Sequence, residues 1–181
     1  MSTILKQLPN FPTQPKLIPV LTFNLKLKSD PQHIYTNTKI DKTLNLATIE
    51  NGEIKSIDNE FGFQLLVNEI FGTDDLNINI SINTAYLDCK LYGKTPNGSG
   101  VKVNYGGRVQ LTKPSVDVIT NKSKEATIDE SFVTCNPSFI FDDSVEEEFK
   151  WVLKENLIGK GRFARDDDDN LYVQYYIYVI R

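Results

Sequence analysis

The side chains of this chain best suited to chemistry are carboxylates and tyrosines, because the usual nucleophile sets are missing. The 181 residues contain one histidine, His33, and two cysteines, Cys89 and Cys135. A Ser-His-Asp or Cys-His arrangement would rest entirely on His33, which lies beside Pro31 in an expected loop with no orienting motif around it. One histidine and two widely separated cysteines cannot make three good zinc ligands without carboxylates, so no metal site is expected. Phosphate-cradling glycine loops, dinucleotide fingerprints and the nucleophile elbow are all missing, which leaves cofactor-free acid-base work. Asp88 is the first candidate. It stands between Tyr86 and Lys90 on one parity of a strand whose other parity carries Leu87, Cys89 and Leu91. If the polar parity lines a cavity, a carboxyl group beside tyrosines gains a raised pKa and can act as acid or base. The structural alternative pairs Asp88 with Lys90, Lys102 or Arg108 across a hairpin.

Aromatic residues supply the second signal. Tyr86, Tyr92, Tyr105, Trp151, Tyr175, Tyr176 and Tyr178 would suit a pocket for a flat, mostly apolar compound, with hydroxyl groups fixing its orientation. The same residues also serve ordinary core and cross-strand packing. Arg108 and Arg162 are either anion-holding groups or cross-strand partners. Asp166 to Asp169 offers oxygen ligands for Ca²⁺, but the run lacks the glycine and distal glutamate of an EF-hand and reads as a solvated hairpin tip.

These side chains must be positioned by strands. Leu21, Phe23, Leu25 and Leu27 alternate with Thr22, Asn24 and Lys26, the period of a strand with one buried face. Leu76 to Ile82 alternates isoleucine and leucine with asparagine and serine. Tyr86 to Lys94 and Val101 to Leu111 flank Pro96-Asn97-Gly98-Ser99-Gly100 and form a hairpin. Asn51-Gly52 reads as a turn, Glu60 to Ile70 as a strand ended by Gly72, and Thr112 to Ala126 as a polar connection. Gly159 to Ala164 and Leu171 to Ile180 form a closing hairpin. The last strand is apolar on both parities, which predicts cover on both sides. Closure removes exposed edges, so the expected fold is all-β, a single mostly antiparallel closed β-barrel over residues 16–181. Residues 1–15 form a Pro-rich N-terminal arm, since Pro9, Pro12 and Pro15 prevent ladder hydrogen bonding.

Composition narrows the partners. A net charge of −4 from 20 basic and 24 acidic side chains, with runs at Glu146 to Glu148 and Asp166 to Asp169, disfavours nucleic acid and anionic membranes. No apolar stretch approaches the roughly 20 residues of a spanning helix, and no cationic leader is visible. A cytoplasmic location with two buried, reduced thiols is the expectation.

Taken in order, Leu87 to Thr95 with Asn97-Gly98, Tyr105-Gly106-Gly107, Phe149-Lys150-Trp151 and Gly159 to Phe163 resemble a bacterial and fungal family known as domain of unknown function three-two-three-seven. The resemblance runs from about Leu17 to the C-terminus. It implies a small antiparallel barrel and no established activity. Asp74 falls where the family's Gly-x-Asp-Trp stretch is expected, with Asp75 in place of the aromatic, and Val152-Leu153 replaces a Leu-Asn pair after Trp151. With Asp74 added, the expected site has Asp88 and Asp74 as catalytic carboxylates and Tyr92, Tyr105, Arg108, Trp151 and Arg162 as ligand-binding groups. Three functions follow: a barrel that isomerises, cyclises or dehydrates a small aromatic or polyketide-like metabolite without a cofactor, a ligand carrier or sensor, and an assembly protein that forms a homo-oligomer.

Overall fold

Alternating apolar and polar residues build nine antiparallel strands in the computed structural model, which describes residues 14–181. They are β1 (Leu17–Leu27), β2 (Gln32–Asn37), β3 (Lys42–Ser56), β4 (Leu66–Asn79), β5 (Thr84–Lys94), β6 (Gly100–Gln110), β7 (Phe132–Phe141), β8 (Leu157–Arg165) and β9 (Leu171–Ile180). The sheet order is β1-β9-β8-β7-β6-β5-β4-β3-β2, and an additional β1–β3 pairing closes eight strands into a barrel with β2 outside it. The expected closed barrel is therefore the fold. The proline-rich arm falls, except for its last two residues, outside the described residues.

One ring of partners shows the closure. From Ile78 it passes through Ala85, Val109, Val133, Gly161, Tyr175, Phe23 and Ile54, and returns to β4 at Val67, eleven residues before its start. Such stagger tilts the strands and lets side chains of successive rungs fill the interior. The buried core takes the inward parity of every barrel strand, including Phe23 and Leu25, Leu87, Cys89 and Leu91, Val103 and Tyr105, and Tyr175 and Ile177. β3 is longer than its neighbours because it serves two of them. Its second half pairs with β1 and its first half with β2, whose six residues are all exposed.

Each end of the barrel is closed differently. At the upper end, the short helix α1 (Lys113–Ile119) crosses the opening, with Pro114 in its first turn and the Thr112 hydroxyl accepting the Ser115 N–H at 3.4 Å. Val118 is its fully buried anchor. At the lower end, a 3-10 segment (Glu147–Leu153) buries Phe149 and Val152. Trp151 stacks on Phe63 with centroids 4.2 Å apart and donates its indole N–H to the Gln64 carbonyl at 2.8 Å.

Several expectations are corrected. Asn51-Gly52 is not a turn: β3 runs through it, with Asn51 opposite Lys26 and Gly52 opposite Leu25. β4 begins at Leu66 and passes through Gly72, where a Cβ would sit 2.0 Å from the Lys90 carbonyl oxygen, so the glycine permits close strand passage. The connection after Leu111 contains α1, because Val116, Val118 and Ile119 supply an apolar face among polar residues. In β9 only the odd positions are buried. The even positions are aromatic or apolar except for Gln174, yet they lie on the outer surface, with Tyr176 and Ile180 exposed. Among the described residues no helix is long and apolar enough to cross a membrane.

Candidate functional site

Three neighbouring strands place Asp74, Cys89 and Tyr105 side by side in register on the inner wall. Asp74 shares its parity with the half-buried Leu76 and Ile78, so the alternation that turns those residues toward the core also turns a carboxylate inward. It is 6 % exposed, and its Oδ1 accepts the Asp88 backbone N–H at 3.1 Å. Among the described residues no cation forms an ion pair with it. Burial pushes its pKa up to about 8, helped by the charges of Asp75 and Asp88 and opposed by the Asp88 N–H and by Lys90. Asp74 is therefore protonated in most molecules at neutral pH and can donate a hydrogen bond or a proton.

Tyr105 and Tyr175 stand beside this group, with ring centroids 5.9 Å apart, and burial raises both hydroxyl pKa values well above the ordinary range. Room for Tyr175 comes from Gly161, where a Cβ would lie 2.5 Å from the Tyr175 ring. Cys89 and Cys135 are free and buried. Burial raises their pKa values strongly, which keeps them neutral and poor as nucleophiles. Among the described residues no group of three or more His, Cys, Asp or Glu is placed to hold a metal ion.

Above this cluster the barrel mouth holds a cavity of about 370 Å³. Leu76, Ala85, Val109 and Phe163 form its wall, Val116 and Ile119 of α1 roof it, and Asp30 and Pro31 of the β1–β2 loop contribute to its rim. The lining is mostly apolar, the usual character of a small-molecule site. Asp74 lies two residues below Leu76 on the same face of β4, one rung under the cavity floor.

Of the residues expected at the site, only Asp74 and Tyr105 are inside the barrel. The expectation that Asp88 faces an internal cavity is corrected: it lies on the outer surface, where its carboxylate meets the Lys90 ammonium at 3.2 Å. The apolar row Leu87, Cys89 and Leu91 takes the interior instead. Tyr92 packs on Phe71 outside the barrel, with centroids 5.6 Å apart. Arg108 is also outside, its guanidinium 5.4 Å from the Tyr86 ring centroid. Trp151 belongs to the lower plug. Arg162 lines an outer groove and bonds Gln174 at 3.1 Å and Glu125 at 3.0 Å. His33 is exposed on β2, its Nδ1 3.2 Å from the Asn45 side-chain oxygen. The Asp166 carboxylate is occupied within its own turn, accepting from Asn170 and Tyr172. In the sequence Tyr175 is one aromatic among several, and no residue pattern marks the mouth cavity. The shared parity of Asp74, Leu76 and Ile78 was the signal that set Asp74 apart from Asp88.

The family model for proteins of unknown function described as DUF3237 matches residues 15–180, and the chain belongs to that family. No curated protein matches the chain. Solved structures do. A conserved protein of unknown function, RPA1785 from Rhodopseudomonas palustris, has a TM-score of 0.67 at 16 % identity, covering 94 % of this chain and 100 % of its own. A beta-barrel like protein, ABAYE2633 from Acinetobacter baumannii, has a TM-score of 0.63 at 14 % identity, with 95 % and 99 % covered. An enzyme from Penicillium herquei has a TM-score of 0.53 at 17 % identity, with 94 % and 99 % covered. At these identities the likeness speaks for the fold alone.

Proposed function

We propose that this DUF3237 barrel binds a compact, uncharged, largely apolar or aromatic compound in its mouth and uses Asp74 as a cofactor-free proton donor to it, in an isomerisation, cyclisation or dehydration. The observation that carries the reading is a carboxyl group held inside the barrel without a cation, protonated near neutral pH, one rung below an apolar cavity. A carboxylic acid in such a place donates a proton to a developing oxyanion more readily than an exposed one. Leu76 lines the cavity directly above Asp74, so the ligand's polar end reaches the carboxyl group when the Leu76 side chain turns aside. A similarly folded protein being called an enzyme is compatible with chemistry in this architecture.

2-Tetralone, a bicyclic ketone small enough for the cavity, tests the reading. Saturation-transfer NMR should show it bound to the wild-type protein and released by Ala85→Trp, which fills the mouth. In D₂O the protein should speed exchange of its α-hydrogens, Asp74 giving its deuteron to the carbonyl oxygen while solvent water takes the α-proton, and Asp74→Asn should remove that acceleration while leaving binding intact. Binding that survives Ala85→Trp contradicts the site. A second reading, a carrier that performs no chemistry, is favoured by Leu76 standing between the cavity and Asp74; it predicts binding without accelerated exchange.

A further inference from the structure

The upper rim is gathered by one side chain. Arg165, the last residue of β8, keeps its side chain only 4 % exposed although it carries a permanent charge. Its Nε and Nη2 donate to the carbonyls of Val118 and Ile119, at the end of α1, at 2.7 and 2.8 Å. Its Nη1 donates to the Asp169 carbonyl in the β8–β9 turn at 2.7 Å. Nη2 also reaches the Asp30 carboxylate in the β1–β2 loop at 2.6 Å.

These four bonds are not equivalent. Three go to backbone carbonyls of segments that are otherwise fixed: Val118 is sunk in the core, and the chain after α1 is paired to β8, with the Arg165 N–H on the Lys124 carbonyl at 2.6 Å and the Ala126 N–H on the Phe163 carbonyl at 3.3 Å. The fourth goes to a side chain that is 58 % exposed, on a loop that borders the cavity through Asp30 and Pro31. Before Asp30, the loop's backbone is held by the Lys28 N–H on the Thr48 carbonyl at 2.8 Å. After it comes β2, which is fully exposed and pairs with β3 from Gln32 onward, so that Ser29, Asp30 and Pro31 span the gap between the two anchors. The Asp30 carboxylate thus connects a loosely held loop to a rigidly held guanidinium directly beside the cavity. A charge-assisted bond of this kind is stronger than a neutral one and can break without disturbing the core.

We propose that the Asp30–Arg165 ion pair is a latch holding the β1–β2 loop against α1 over the mouth cavity, so that small molecules enter and leave when it opens. The guanidinium stays in place on its three carbonyls while Asp30 swings outward into water, and the loop moves with it as a strap. The latch gives a purpose to burying an arginine at the rim, where an apolar residue would fill the space at lower desolvation cost. The gate deepens the binding role proposed above for the mouth, yet its test does not depend on any ligand.

A thiol placed in the cavity wall reports the opening. Ala85→Cys puts a reactive group on the buried wall, and N-ethylmaleimide serves as a small neutral probe. The parent protein, whose two thiols are buried, gives the background. Adding Asp30→Asn should raise the labelling rate of Ala85→Cys about five- to tenfold, the loss expected when an ion pair becomes a hydrogen bond from the guanidinium to an uncharged amide oxygen. Amide hydrogen exchange should quicken in residues 28–34 and stay unchanged in β5 and β6. Labelling that does not accelerate overturns the gate, as does acceleration matched by faster exchange throughout the barrel, which would mean global loosening. Failure of 2-tetralone to bind the wild-type protein counts against the proposed function alone, because the labelling rates are measured without it.

Discussion

Asp74 and Asp88 show how much the destination of a side chain decides. Both are aspartates on adjacent strands, and the backbone of one bonds the carboxylate of the other. Asp88 lies in water beside Lys90, in an exposed pair that solvent screens and that adds little to stability. Asp74 is buried, and burial pushes its pKa up to about 8 from the ordinary aspartate value of 3.8. In the pH range between those values the folded protein holds a proton that the unfolded chain releases. The stabilising contribution is therefore complete below about pH 4 and is lost as pH rises through 8, at up to about 1.4 kcal/mol per pH unit. Asp74→Asn keeps the acceptor for the Asp88 N–H and removes the titration. Urea denaturation should find the variant close to wild type at pH 4 and more stable at pH 9, whereas Asp88→Asn should shift neither by more than about 1 kcal/mol. An Asp74→Asn stability difference that does not change with pH would mean that this carboxyl is not titrating from inside the barrel.

At the scale of elements, strands were legible where one face is wet and were obscured where polar residues continue through a ladder. β1, the β5–β6 hairpin and the β8–β9 hairpin follow from alternation and turn residues. Asn51-Gly52 has turn chemistry but lies within β3, because ladder pairing to β1 on one side outweighs local preference. Both parities of β9 are apolar, so alternation there gave no inward face. The same ambiguity governed the site: in β5 alternation separated Asp88 from Leu87, Cys89 and Leu91 but left open which set lined the interior. A packed eight-stranded barrel takes its apolar row inside. α1 was hidden because seven residues are too few to establish a helical period. The β5–β6 turn provides a direct check. Gly98 has φ +86 with open space around it, so Gly98→Val strains the backbone without a steric clash. Thermal melting should show a loss of about 1–2 kcal/mol, and an unchanged melting temperature would contradict the turn geometry.

For the whole molecule, closure leaves β2 as the strand outside the cylinder. It has no buried residue, and its pairing is with β3 alone. Local stability follows burial and pairing, so native-state hydrogen exchange should release β2 first and the β5 and β6 amides last. Equal protection of β2 and the barrel strands would mean that this edge is covered in solution. The two barrel ends divide the labour: the lower is filled by Phe149, Val152 and the Trp151–Phe63 stack, and the upper keeps a cavity under α1. The buried acid sits between them, beneath the cavity.

A proton donor beneath that cavity requires Asp74 to be protonated near neutral pH, and ¹³C NMR of its side-chain carboxyl across pH reads that state directly. The predicted titration midpoint is about 8, moving further upward when 2-tetralone fills the mouth and removes the remaining water. A midpoint in the ordinary carboxylate range near about 4, or one near 8 that saturating 2-tetralone leaves in place, would contradict a buried proton donor facing the ligand.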